Sequence, residues 1–209
     1  MHRTRIKFCG LTRPDDVRAA VAAGADAVGF VGYPESPRYV DLAQLAQLGP
    51  CVPAFVTPVL LFVNAPAQDI ERALRVLPQA ILQFHGNETP EQCRQHARPY
   101  LRALRVDAAF DWAEAERRYA DALALLVDAP APGFGGGGQV FDWHRLPAPA
   151  QRRQAMVLAG GLTASNVGQA LAQVCPYAVD VSSSIEEAPG RKNAQKMREF
   201  AAAVRAAGS

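Results

Sequence analysis

Eight short apolar runs alternate with segments of helical period along this chain, and that alternation constrains the fold more than any other feature. The runs cover residues 5–9, 26–31, 59–63, 80–84, 101–106, 122–127, 155–159 and 178–181. Each has strand length. Most lack the strict polar–apolar alternation of a half-exposed strand, as expected where parallel strands are covered on both faces. Between them the period changes: Val17, Ala20 and Val21 share one helix face, and Ile70, Ala73, Leu74 and Leu77 share another. Val167, Ala170, Leu171 and Val174 repeat the pattern, as do Met197, Phe200, Ala201 and Val204. Gly24 ends the first helix, Pro66 opens the third, and Pro78 and Pro176 close later ones. Segments 41–57 and 142–149 carry the weakest pattern, and the second reads as a short helix. The alternation predicts an α/β fold, a (β/α)8 TIM barrel of parallel strands with residues 1–209 as a single domain. An open doubly wound sheet is the alternative.

Composition narrows the function classes. A net charge of +2 supplies no broad basic field, so nucleic acid is not expected as a partner. The 4 cysteines, Cys9, Cys51, Cys93 and Cys175, lie far apart with no C-x-x-C pair. That spacing argues against structural zinc and a disulfide framework and for a reducing compartment. No run approaches the length of a membrane span, and the first residues hold no apolar leader, so a cytoplasmic protein is expected.

Chemistry in such a barrel gathers where each strand ends and the loop to the next helix begins. The first run ends in Lys7-Phe8-Cys9-Gly10-Leu11-Thr12. A thiol closes the strand and a glycine turn follows. Thr12 is placed to cap the next helix, with Pro14 in its first turn and Asp15 in capping-box position. Cys9 reads either as a reactive thiol or as a small buried hydrophobe, the commoner fate of a free cysteine. Lys7 shares its strand face and is placed to stabilise a thiolate. The second run leads into a proline-stiffened loop presenting Arg38, either as a bidentate clamp for a carboxylate or phosphate or as a surface ion pair. Gln83 and His85 share one face of the fourth strand. His85 reads as a positioning group, because no second ligand stands at metal spacing. Asp128, after the sixth run, is an acid candidate to pair with Cys9, or a turn residue. Gly160-Gly161 and Ser182-Ser183-Ser184 occupy the loops after strands seven and eight. Those two loops hold phosphate in many such barrels, although Gly and Ser are also ordinary turn residues.

Taken together, these stretches resemble the phosphoribosylanthranilate isomerase family. The resemblance is carried by Lys7-Phe8-Cys9-Gly10-Leu11-Thr12, Gly24-Ala25-Asp26-Ala27-Val28-Gly29-Phe30 and Ser36-Pro37-Arg38-Tyr39-Val40. It continues through Leu61-Phe62-Val63-Asn64, Gln83-Phe84-His85-Gly86, Val127-Asp128-Ala129 and Phe141-Asp142-Trp143. Leu158-Ala159-Gly160-Gly161-Leu162-Thr163, Asp180-Val181-Ser182-Ser183 and Pro189-Gly190-Arg191-Lys192 complete it. Each block alone is modest, but all of them in this order are highly specific.

The resemblance implies an Amadori rearrangement of N-(5-phosphoribosyl)anthranilate to 1-(2-carboxyphenylamino)-1-deoxyribulose 5-phosphate, a step of tryptophan biosynthesis. It implies Asp128 as general acid and Cys9 as general base. Arg38 would hold the anthranilate carboxylate, with His85 and Asp180 as polar groups lining the site. Gly161, Ser182 and Ser183 would lie near the phosphate. An iminium intermediate supplies the electron sink, so neither a metal nor an organic cofactor is expected. The expected partner is a small phosphorylated substrate, with no nucleic acid and no membrane, and the chain a monomer or homodimer. Three departures from the family pattern stand out. Residues 135–138 are all glycine, so Gly137 replaces a usual threonine; Ser184 replaces a glycine, which would crowd the loop if φ there were positive; and Gly32 replaces a larger residue. The rivals are the related histidine-pathway isomerase, which needs an aspartate where Cys9 stands, and a non-catalytic phospholigand-binding protein on the same scaffold.

Overall fold

The computed structural model describes residues 3–130 and 141–208. Its strands are β1 (Arg5–Cys9), β2 (Ala27–Val31), β3 (Thr57–Phe62), β4 (Ile81–Phe84), β5 (Tyr100–Arg105), β6 (Ala124–Asp128), β7 (Ala155–Leu158) and β8 (Ala178–Val181). They pair in sequence order, and β8 returns to pair with β1, so the barrel is closed and the open doubly wound sheet is excluded. Every pairing around the barrel is parallel. Helices α1 (Pro14–Ala22), α2 (Leu42–Leu48), α3 (Ala67–Val76), α4 (Pro90–Arg94), α5 (Trp112–Arg118), α6 (Val167–Val174) and α7 (Ala194–Ala207) follow their strands. No helix among the described residues is long and apolar enough to cross a membrane.

Alternation along each strand sorts the side chains into two apolar layers. Val59, Leu101, Ala103, Leu126 and Val157 fill the barrel interior. Phe8, Phe30 and Leu82 point outward to meet helix residues such as Val17, Ile70 and Phe200. Phe8, Phe30, Phe84 and Phe200 are fully buried, each contributing about 1.5–3 kcal/mol of transfer free energy. The lack of strict polarity alternation in the sequence reflects these two covered faces.

Local chemistry moved three boundaries. The extended N-cap of α1 is Arg13, not Thr12, because the residue before Pro14 is driven out of the helical region. The Thr12 hydroxyl instead donates to Gly190 O at 2.6 Å. Residues 142–149 form no α-helix; 3-10 turns stand at Trp143–Arg145 and Pro149–Gln151, since Pro147 and Pro149 lack the donors a helix needs. A short antiparallel hairpin, β9 (Glu186–Ala188) with β10 (Arg191–Lys192), lies between β8 and α7 and had no signature in the apolar pattern. Gly32 has a steric reason: a Cβ there would come within 2.5 Å of the Phe62 ring.

One buried pair braces the loops above β3 and β4. Arg102 on β5 donates to Glu88 Oε2 at 2.8 Å and to the carbonyls of Phe84 and Gly86. Glu88 in turn accepts from the N–H groups of Asn64 and Gly86. Both side chains are nearly inaccessible, at 7% and 6% exposure, so truncating one leaves the other charged and unpaired. Arg102→Met is expected to lower unfolding free energy by about 3–5 kcal/mol. Urea unfolding of the variant checks this, and a loss under about 1 kcal/mol would show that the brace is not under tension from burial.

Candidate active site

Strand parity aims Cys9, His85, Asp128 and Asp180 into one cavity of about 300 Å³ at the carboxyl end of the barrel. Arg38, Gly161, Ser182 and Ser183 line the same cavity, so the structure brings together every site residue singled out from the sequence. Cys9, Val31, Leu61 and Val63 form an apolar patch in this region, with Tyr33 packed on it.

Cys9 sits at the end of β1 with its side chain buried. Beside it, Lys7 Nζ donates to Asp180 Oδ1 at 2.9 Å, and its charge favours the Cys9 thiolate. Gly29 on β2 makes that approach possible: a Cβ there would fall 2.7 Å from Cys9 Sγ and 3.2 Å from Lys7 Nζ. Burial pushes the thiol pKa up, Lys7 pulls it down and Asp180 pushes it up, leaving it raised. The expected help from Lys7 is present as an interaction, but desolvation outweighs it. For Lys7 itself burial opposes the charge, yet Asp180 and Cys9 more than compensate and its pKa is raised. Lys7 is therefore an ammonium across the neutral range.

Asp128, ending β6, is held from two sides. Its Oδ1 accepts from Ala129 N at 2.8 Å, and its Oδ2 lies 3.3 Å from His85 Nε2. His85 Nδ1 is 3.0 Å from Gln83 Nε2, so the two residues on one face of β4 form a polar chain to Asp128. Gly160 is required here by conformation and space: φ is +81°, and a Cβ would meet Ala129 N at 2.5 Å and Asp128 Oδ1 at 3.0 Å.

Arg38 departs from expectation. Its Nε and Nη2 edge, the fork suited to a bidentate ligand, is already taken by Glu186 at 2.7 and 2.8 Å. A ligand carboxylate must therefore meet the guanidinium elsewhere, and the pair is buried rather than a surface bridge. The same Glu186 accepts from Lys192 Nζ at 2.8 Å, and Lys192 also donates to Ser182 O and Oγ. The Ser182 hydroxyl donates to Cys9 O at 3.0 Å, so its proton is committed to the backbone. Ser183 remains the hydroxyl of this loop that lines the cavity without such a commitment. Ser184 does not crowd the loop; it lies in a 3-10 turn with negative φ and donates to Leu162 O at 2.6 Å. Asn166 Nδ2 holds Gly161 O at 2.9 Å, fixing the loop after β7. The glycine stretch at 133–138, including Gly137, lies outside the described residues.

Glu186 and Lys192 were not singled out from their residue pattern. Their signal was weak, because a lone Glu and Lys in a polar segment read as surface charge until the hairpin folds them inward. Arg102 carried a better signal, a cation in the middle of β5 with apolar neighbours on both sides. Among the described residues no group of three or more His, Cys, Asp and Glu side chains is arranged to hold a metal ion.

A sequence model of the family described as N-(5'phosphoribosyl)anthranilate (PRA) isomerase matches residues 6–203. The chain belongs to this family. Its members are isomerases of tryptophan biosynthesis. A curated N-(5'-phosphoribosyl)anthranilate isomerase from Leptothrix cholodnii is 55% identical over 203 residues, covering 97% of this chain and 91% of that protein. The crystal structure of phosphoribosyl anthranilate isomerase from Thermotoga maritima superposes with a TM-score of 0.88 at 35% identity, covering 97% and 99% of the two chains. A family structure in complex with reduced 1-(o-carboxyphenylamino)-1-deoxyribulose 5-phosphate gives 0.82 at 32% identity, with 97% and 99% covered.

The Glu186 network carries a pH signature. Burial raises the Glu186 pKa, but hydrogen bonds and charge from Arg38 and Lys192 outweigh it, and the value is lowered from 4.5. A lowered folded-state value means that this stability is present above about 4.5, the unfolded value, and is lost as pH falls through the folded one. Glu186→Gln should therefore flatten the fall in stability below pH 4.5 relative to the parent chain, read by denaturant titration at several pH values. An unchanged acid limb would remove Glu186 from the acid response.

Proposed function

We propose that the chain carries out its family's isomerisation with Asp128 as general acid and Cys9 as general base. The observation that supports this best is their shared cavity, with a carboxyl group on β6 and a thiol on β1 facing one space. Lys7, the other potential base beside Cys9, is held protonated by Asp180 and Cys9 against the pull of burial, which leaves proton abstraction to the sulfur.

Asp128 gives a proton to the ribose ring oxygen of N-(5-phosphoribosyl)anthranilate. The C1′–O bond breaks, and the anthranilate nitrogen lone pair forms the C1′=N iminium. Cys9 thiolate then takes the proton from C2′, and the released electron pair forms C1′=C2′ while the iminium becomes an amine. The resulting enolamine tautomerises to the C2′ ketone, the 1-deoxyribulose 5-phosphate product. The iminium is the electron sink, so this sequence balances with the chain's own acid and base.

Arg38 presents its free edge to the anthranilate carboxylate while Glu186 keeps the guanidinium plane fixed. Gly161 and Ser183, with the backbone around Ser182, form the phosphate side, where closely approached N–H groups favour an anion. His85 orients Asp128 through its Nε2 contact. The two phosphate loops are cross-tied by Ser184 to Leu162, so they enter the reaction already positioned.

Turnover is followed by loss of anthranilate fluorescence. Cys9→Ala and Asp128→Asn should each lower kcat by about 10²–10⁴-fold, the usual worth of one general acid or base. If both variants kept most of the parent kcat, the acid–base assignment would fail.

A further inference from the structure

Lys7 is a buried cation that the proton transfers above do not use. It stands on β1 two residues before Cys9, and its register partner across the barrel seam is Asp180 on β8. Both partners of this pair are nearly inaccessible, at 4% and 9% side-chain exposure. Placing an ion pair inside an apolar barrel costs desolvation that hydrophobic residues would avoid, so stability alone is a poor account of it. Its surroundings are also specific. Gly29 is the one residue between the pair and the sulfur on β2, and any Cβ there would occupy the space in which Nζ and Sγ meet.

We infer that Lys7 is a catalytic residue of this site, the cation that stabilises Cys9 as a thiolate, and that Asp180 is the counter-ion that competes with the sulfur for the same ammonium. The inference rests on Cys9 as the base and deepens that reading. It also changes the part taken by Asp180, whose Oδ1 is committed to Lys7 rather than left for the substrate. No proton passes through Lys7; its ammonium stays charged while the C2′ proton goes to sulfur. The contact exploits the point-charge character of an ammonium, which a thiolate formed in low dielectric needs close by.

Other charges face Cys9 from the surrounding elements. Lys192 on β10 and Arg38 from the loop after β2 favour the thiolate, and Asp180 on β8 disfavours it. Val31, Leu61 and Val63 on the β2 and β3 side carry no charge. Lys192 and Arg38 are both tied to Glu186, whereas Lys7 is the charge that most favours the Cys9 thiolate. The direction of each effect is distinct, and that makes the assignment testable. Removing Lys7 and Asp180 together withdraws the stronger favourable charge, and removing Asp180 alone withdraws an unfavourable one.

The experiment measures iodoacetamide alkylation of the Cys9 peptide by mass spectrometry from pH 6 to 10. Peptide resolution separates Cys9 from Cys51, Cys93 and Cys175. The variants are Lys7→Met/Asp180→Asn, which leaves neither charge buried alone, and Asp180→Asn. In the double variant the Cys9 alkylation rate at pH 8 should fall about tenfold, the effect of about one unit in thiol pKa. In Asp180→Asn, where the competing charge is gone while the amide oxygen still accepts from Lys7, the rate should rise. Rates equal to the parent in a folded double variant would overturn the inference, as would shifts of both variants in the same direction. If one variant does not fold, the other decides by the same criteria. Alkylation needs no turnover, so a failure of Lys7 is distinguishable from a failure of Cys9 as base, which the Cys9→Ala activity reads.

Discussion

The seam where the first strand meets the last is the constraint on which the rest of the structure depends. Register along β1 and β8 puts Lys7 opposite Asp180, inside the barrel and within 2.9 Å. A slip of β1 by one residue would turn Lys7 outward into the apolar layer under the helices, bring Phe8 into the barrel, and leave Asp180 without its partner. The ion pair thus makes the wrong closure expensive, because an unpaired buried charge costs several kcal/mol. The same register delivers Cys9 and Ser182 to the upper rim, where Ser182 donates to the Cys9 carbonyl. Barrel closure and assembly of the thiol side of the site are one event.

Around that rim a second network ties together segments far apart in sequence. The β9–β10 hairpin reaches back with Glu186 and Lys192. Glu186 holds Arg38 from the loop after β2, Lys192 holds Ser182 from the loop after β8, and Lys192 N reaches Asp16 on α1. Thr12 closes the circuit by donating to Gly190 O. On the opposite side Arg102 and Glu88 brace Asn64 and Gly86, which flank the cavity next to His85. The acid side and the thiol side are thus each backed by a buried ion pair outside the reacting groups. Rigid backing of this kind keeps acid and base at a fixed separation, which proton transfer in a bound substrate requires.

Much of this was readable before any coordinates. Strands β1 and β8 match their apolar runs end to end, because both are short, buried on both faces and followed at once by polar or turn residues. Parity then placed Gln83 with His85 and Lys7 with Cys9. The hydroxyl partner of Thr12, Gly190 O, is remote in sequence, so nothing local tells it from a helix cap. The bidentate edge of Arg38 looked free because Glu186 lies 148 residues away. Residues 142–149, the weak segment read as a short helix, form only 3-10 turns, because Pro147 and Pro149 lack the donors an α-helix needs.

The sequence by itself determined which residues stand at the strand ends and which face each takes, since a period of two and the turn glycines are local properties. It also determined the family, through ordered motifs spread along nearly the whole chain. Only the tertiary structure decided which of those groups are already spoken for: Ser182 by Cys9 O, Arg38 by Glu186, and Asp180 by Lys7. The same holds for the state of Cys9, whose thiol is raised by burial and opposed by a neighbouring ammonium. Desolvation and the charges contributed by other strands set that balance, and neither exists until the barrel has closed.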